Sequence, residues 1–155
     1  MAMRRAMALT AGALALGAGM AGTADAAILL QHGIGGVRLG QTEAKVRAVR
    51  GAPVRVVDGV NQFGGYIQLR YRGLVVTFQG GRRVTAVSTR RRAERTNRRI
   101  GVGSTKAALL AAHPTATCPD TLHCVVGREE PGRTVSSFAL RRGVVRQVTI
   151  GYVID

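Results

Sequence analysis

Five residues capable of chemistry crowd into one short stretch: His113, Cys118, Asp120, His123 and Cys124. Two thiols, two imidazoles and a carboxylate are zinc-ligand types, and a Cys near a His is the pairing of a thiol nucleophile. Both readings need free thiolates. An exported chain meets an oxidising compartment in which an even pair of cysteines closes, so the expectation is a Cys118–Cys124 disulfide, with neither metal nor nucleophile. Acids are scarce too: beyond the first 26 residues they are Glu43, Asp58, Glu94, Asp120, Glu129, Glu130 and Asp155. Glu43 opens a predicted helix, where a carboxylate is stabilising in any case, and Glu129-Glu130 adjoins Pro131-Gly132 in a turn. No pair suggests acid/base work. Ser88, Ser104, Ser136 and Ser137 lack a nucleophile elbow. Gly33-Ile34-Gly35-Gly36 makes no phosphate loop, because no Lys-Ser/Thr follows it into a helix. A chain of 155 residues also excludes a large multi-site enzyme. The reading is a non-enzyme with no cofactor and no metal, and a small hydrolase is the weakest class weighed.

What the chain has in excess is guanidinium. Lys plus Arg number 23 against 8 Asp plus Glu, for a formal charge of +15, and the only lysines are Lys45 and Lys106. A GC-rich genome would produce part of that bias, together with the abundant Ala, Gly and Val. The clustering argues for more. Arg90, Arg91, Arg92, Arg95, Arg98 and Arg99 fall within ten residues, read either as a solvated joint or as an anion contact. Arg70 and Arg72 point outward from a predicted strand and join them as candidate anion contacts. Tyr66 and Tyr71 are candidate sheet-surface contacts, although Tyr71 shares a face with Ile67 and Leu69 and so also suits core packing. The partners that fit are another protein or an anionic envelope polymer, with peripheral contact to anionic lipid as a further option. Nucleic acid fits less well, since the chain has no Trp, three Tyr and three Phe to stack on bases.

The elements that must hold these groups follow from caps, breaks and alternation. Residues 1–26 read as a cleaved signal peptide: Arg4 and Arg5 precede an apolar run from Ala6 to Met20, and Ala24-Asp25-Ala26 has the small-x-small form of a cleavage site. A secreted or periplasmic location follows. No Cys stands at the new N-terminus to carry lipid. Apolar residues make up 46% of the chain, enough to bury a core. Val37-Arg38-Leu39-Gly40-Gln41-Thr42-Glu43-Ala44-Lys45-Val46 matches Ile100-Gly101-Val102-Gly103-Ser104-Thr105-Lys106-Ala107-Ala108-Leu109 in pattern. Thr42 and Thr105 are the predicted N-caps of helices over 43–50 and 106–112. Val46 with Val49, and Leu109 with Ala112, supply one apolar face each. Gly51 with Pro53, and His113-Pro114, end them. Alternation predicts strands over 66–72, 74–78 and 84–89, and in the second half over 124–128, 134–140 and 144–152.

The order aliphatic-x-aliphatic-Gly-x-Thr-x-x-x-aliphatic, then a short helix, a break and a meander, resembles the secreted β-lactamase inhibitor proteins. It is similar also to the SmpA/OmlA-type envelope lipoproteins. The motif residues are Leu39-Gly40-Gln41-Thr42 with Val46, and Val102-Gly103-Ser104-Thr105 with Leu109. The resemblance implies a tandem α+β fold whose sheets bind without catalysing, and a disulfide after the second helix, which Cys118 and Cys124 would match. The expected fold is thus α+β, with two tandem repeats over 27–92 and 93–155, each a short helix packed on an antiparallel β-meander. The expected function is a secreted, non-enzymatic, protein-binding module, and the alternative is an electrostatic adaptor for anionic envelope polymers or membrane surfaces.

Overall fold

A computed structural model describes residues 27–154; the signal peptide expected over 1–26 lies outside the described residues. Three two-residue strands, β1 (Ile28–Leu29), β2 (Gly33–Ile34) and β3 (Val37–Arg38), lead into helix α1 (Glu43–Arg50). Four strands follow: β4 (Arg55–Asn61), β5 (Gly64–Tyr71), β6 (Leu74–Gln79) and β7 (Ala86–Thr89). Helix α2 (Lys106–Ala112) precedes β8 (His123–Val126), β9 (Thr134–Arg141) and β10 (Val144–Tyr152). β1 to β3 form a small sheet, and the other seven strands form one antiparallel sheet in the order β4-β5-β6-β7-β10-β9-β8.

The expectation of two tandem helix-on-meander repeats is therefore corrected: the protein is mostly β. The strands of both halves do not stand as separate meanders, because β7 pairs with β10 from Val148↔Thr89 to Gly151↔Ala86 and welds them into one sheet. The helices have only eight and seven residues, too few to be stable alone, and each buries one side chain, Val46 and Leu109. Val49 is 53% exposed instead of facing the core. The α+β and tandem-repeat descriptions both give way to a β-sheet closed on one side by a small sheet and two helical plugs.

Local chemistry explains the plugs. Both caps take the same extended backbone, φ −77°, and their hydroxyls accept from backbone N–H groups one turn in, Thr42 from Lys45 at 3.4 Å and Thr105 from Ala108 at 3.1 Å. Gly40 and Gly103, two residues earlier, sit at φ +78° and +93°, a left-handed turn that a side chain would strain.

The core lies between the plugs and one face of the large sheet. Alternation along β5, β6, β9 and β10 sends Leu69, Val76, Phe138 and Ile150 inward to full burial, against Ile34 and Val37 from the small sheet. Gln31, in the β1–β2 turn, ties the small sheet to β9: its backbone N–H donates to Ser136 Oγ at 2.7 Å. Among the described residues nothing covers the opposite face of the large sheet.

Candidate binding groove on the open sheet face

On the open face stand the alternate residues: Gln68 and Arg70 on β5, Val75 and Thr77 on β6, Ser88 on β7, and Gln147 and Thr149 on β10. A polar chain crosses the β7–β10 seam. Arg90 Nε donates to Gln147 Oε1 at 2.9 Å, Gln147 Nε2 donates to Thr149 Oγ1 at 3.3 Å, and the Thr149 and Ser88 hydroxyls share a 2.9 Å hydrogen bond. Two adjoining hollows open over this chain, of about 560 and 580 Å³. The first is walled by Arg70 and Arg90, and the second by Arg90, Arg141, Arg142 and Arg146. Arg90 and Gln147 belong to both, so the hollows form one groove.

The backbone aims these guanidiniums. Arg142 and Gly143 have φ +53° and +72°, the double left-handed turn that suits a two-residue hairpin, and it places Arg141 and Arg142 at the groove's end. The β9–β10 register shifts between Val145 and Gln147; the extra residue at this bulge is Arg146, which is exposed there. Bulges re-aim side chains in this way. Arg55 on β4 stands directly across from Arg70 on β5, a like-charge pair that costs stability. Among the described residues no carboxylate lines the groove, and the salt bridges lie elsewhere, at Arg47–Glu43, Arg91–Glu94, His123–Asp120 and Arg133–Glu130.

The structure distributes the residues singled out from the sequence. Arg70 and Arg90 lie in the groove, and Arg72 is exposed in the β5–β6 turn. The remaining joint arginines are spent largely on the joint itself. Arg95 donates to Arg92 O at 2.9 Å and Ser104 Oγ at 3.0 Å, Arg98 donates to Ala112 O, and Arg91 lies 3.7 Å from the buried Glu94. Arg99 takes φ +62° in a tight reversal in which Ile100 N–H donates to Thr96 Oγ1. The joint is thus a folded loop with Ile100 and Val102 buried. Tyr66 and Tyr71 fall on opposite faces. Tyr66 lies on the open side against Gly59, while Tyr71 faces inward, donates to Gly51 O at 3.2 Å and lies under the Arg50 guanidinium. Burial pushes the Tyr71 phenol up, against the pull of Arg47 and Arg50. Sequence reasoning missed Arg141, Arg142 and Arg146. Arg141-Arg142-Gly143 stands between the strands expected over 134–140 and 144–152, and alternation alone does not connect its charge to the strand opposite.

In the dense stretch most of these groups are bonded to one another or to backbone. Cys118 and Cys124 are disulfide-bonded. Asp120 accepts from Leu122 and His123 N–H at 2.7 and 2.8 Å and pairs with His123 Nδ1 at 3.0 Å. His113 caps α2, with Nε2 buried and, among the described residues, without a hydrogen-bond partner. Among the described residues no three of His, Cys, Asp and Glu gather as a metal would require.

No protein-family model matches the chain, and no curated protein does. A solved structure that resembles it is the 1.5 Å crystal structure of an extracellular protein containing a SCP domain from Bacillus anthracis str. Ames, with a TM-score of 0.57 and 9% identity. The match covers 74% of this chain and 44% of that one, so the chain spans less than half the length of its neighbour. At that identity the likeness is one of fold alone.

Proposed function

We propose that the protein is a secreted or extracytoplasmic, non-enzymatic binding module that grips an acidic face of another protein in the arginine groove. The observation that carries this reading is a groove walled by Arg70, Arg90, Arg141, Arg142 and Arg146 with no carboxylate in its lining. Guanidinium forks suit carboxylates, which they can hold by two parallel hydrogen bonds. Like charge gathered at Arg55 and Arg70 costs the free protein something that an acidic partner would relieve. The leader-like residues 1–26 and the disulfide support an oxidising, exported setting. The task is the one implied by the inhibitor resemblance: a sheet face that holds another protein and performs no chemistry on it.

The test is capture from extracellular or envelope protein by the immobilised chain, at low and at high salt, against the double variant R90E/R146E. The expected result is one protein captured in stoichiometric amount, weakened but not replaced by mixed material as salt rises, and lost from the double variant. Mixed polyanionic material eluted by salt would instead establish the electrostatic adaptor. Equal capture by the variant would remove the groove from consideration.

A further inference from the structure

The two edges of the large sheet are treated differently. At the β8 edge, Thr117 exchanges both backbone hydrogen bonds with Val125, at 2.9 and 2.7 Å, and the Cys118–Cys124 bridge clamps that cover in place. At the other edge β4 runs seven residues from Arg55 to Asn61, pairs among the described residues only with β5, and carries no Pro, no Lys and no bulge, its one inward charge being Asp58. Its inward side shows Val54, Val56 and Val60 at 74%, 47% and 82% exposure. Its open side shows Arg55, opposed by Arg70.

We infer that β4 is a docking edge that accepts, as an eighth strand, an extended peptide segment of a partner protein with a carboxylate opposite Arg55. Main-chain pairing supplies the affinity and alternate side chains supply the choice of sequence. In the antiparallel sense, a carboxylate opposite Arg55 neutralises the Arg55–Arg70 pair, apolar residues opposite Val56 and Val60 cover those valines, and a basic residue opposite Asp58 completes the pattern. A second copy of this chain does not fill the role. A two-fold pairing that keeps both inner faces on one side matches residues of the same face, and Asp58, the one acid of β4, lies on the face away from Arg55. No such register brings it to Arg55, and the charge of +15 per chain sets two copies against each other. The inference does not rest on the groove reading.

The probe is a ten-residue peptide carrying, from its N-terminal end, Val, Thr, Lys, Thr, Val and Glu across Val60 to Arg55, titrated into the whole protein by NMR. Saturable amide shifts confined to residues 54–61 and their β5 partners are expected, with none for a scrambled peptide. R55E should weaken binding about threefold to fivefold, in line with a cross-strand charge pair, and exchanging the peptide's Glu for Lys should restore it. The exposed double substitution V56K/V60K should abolish binding while the rest of the spectrum is unchanged. R90E/R146E should bind the peptide normally, which separates this surface from the groove. Absence of saturation up to about 1 mM, the weak end of useful affinity, equal binding of the scrambled peptide, or self-association through β4 that the peptide does not compete away would each overturn the inference.

Discussion

His113 is where one side chain makes the whole fold sensitive to pH. Burial, and then the charge of Arg98, hold its pKa below the ordinary 6.5, and Arg98 is fixed there by its bond to Ala112 O. The unfolded chain therefore takes up a proton before the folded one does. Stability is fully present above pH 6.5 and declines as pH falls toward the lowered native value. Denaturant melts across pH should show this loss in the wild type, and His113→Gln should flatten it between about pH 7 and 5. A profile unchanged by the substitution would place the imidazole in water. Asp120 acts further down the scale: two backbone N–H groups, followed by His123, hold its carboxyl below the usual range, so its contribution is present at neutral pH and is lost as pH falls below 3.8 toward the lowered native value. The sequence showed these residues as potential ligands. Their actual work depends on which backbone groups face them, and residue type does not encode that.

At the scale of the element, the caps were the most legible feature and the short strands the least. Thr42 and Thr105 announced α1 and α2 because a hydroxyl before an apolar i, i+3 pair has few other uses. Thr105→Ala should cost about 1 kcal/mol in thermal or urea unfolding, and Thr105→Ser should recover most of it. A helix as short as α2 owes its existence to packing at Leu109, so the loss should appear as lower global stability and not as local fraying. β5, β6, β9 and β10 were visible from strict alternation. β4 was missed because Asp58-Gly59 interrupts its valines and Pro53 precedes it, so no clean alternation shows there. β1 to β3 are two residues each, too short for any period to show. The groove suffered similarly: Arg70 was legible as an outward strand residue, whereas Arg146 owes its aim to a bulge, a feature of pairing between strands and not of either strand alone.

For the molecule as a whole, the disulfide and the seam set how the two halves live together. The bridge closes a loop of sequence separation 6, for which the chain-entropy account gives about 2 kcal/mol of stabilisation through the unfolded state. Replacing both cysteines with Ala should lower the unfolding free energy by about that much, read from denaturant midpoints, with reduction of the wild type matching the double variant. The architecture was misjudged from sequence because pairing of β7 with β10 is a choice between distant strands, and alternation says only that each strand will pair with something. Ser88 and Thr149, bonded across the seam, lie 61 residues apart, while the hairpins on either side close locally. By contact order the local hairpins are the faster pairings and the seam a slower one. Until the seam pairs, a newly made chain shows two raw middle strands, each ready to pair with the wrong molecule. Dilution or a chaperone protects the protein most during that interval.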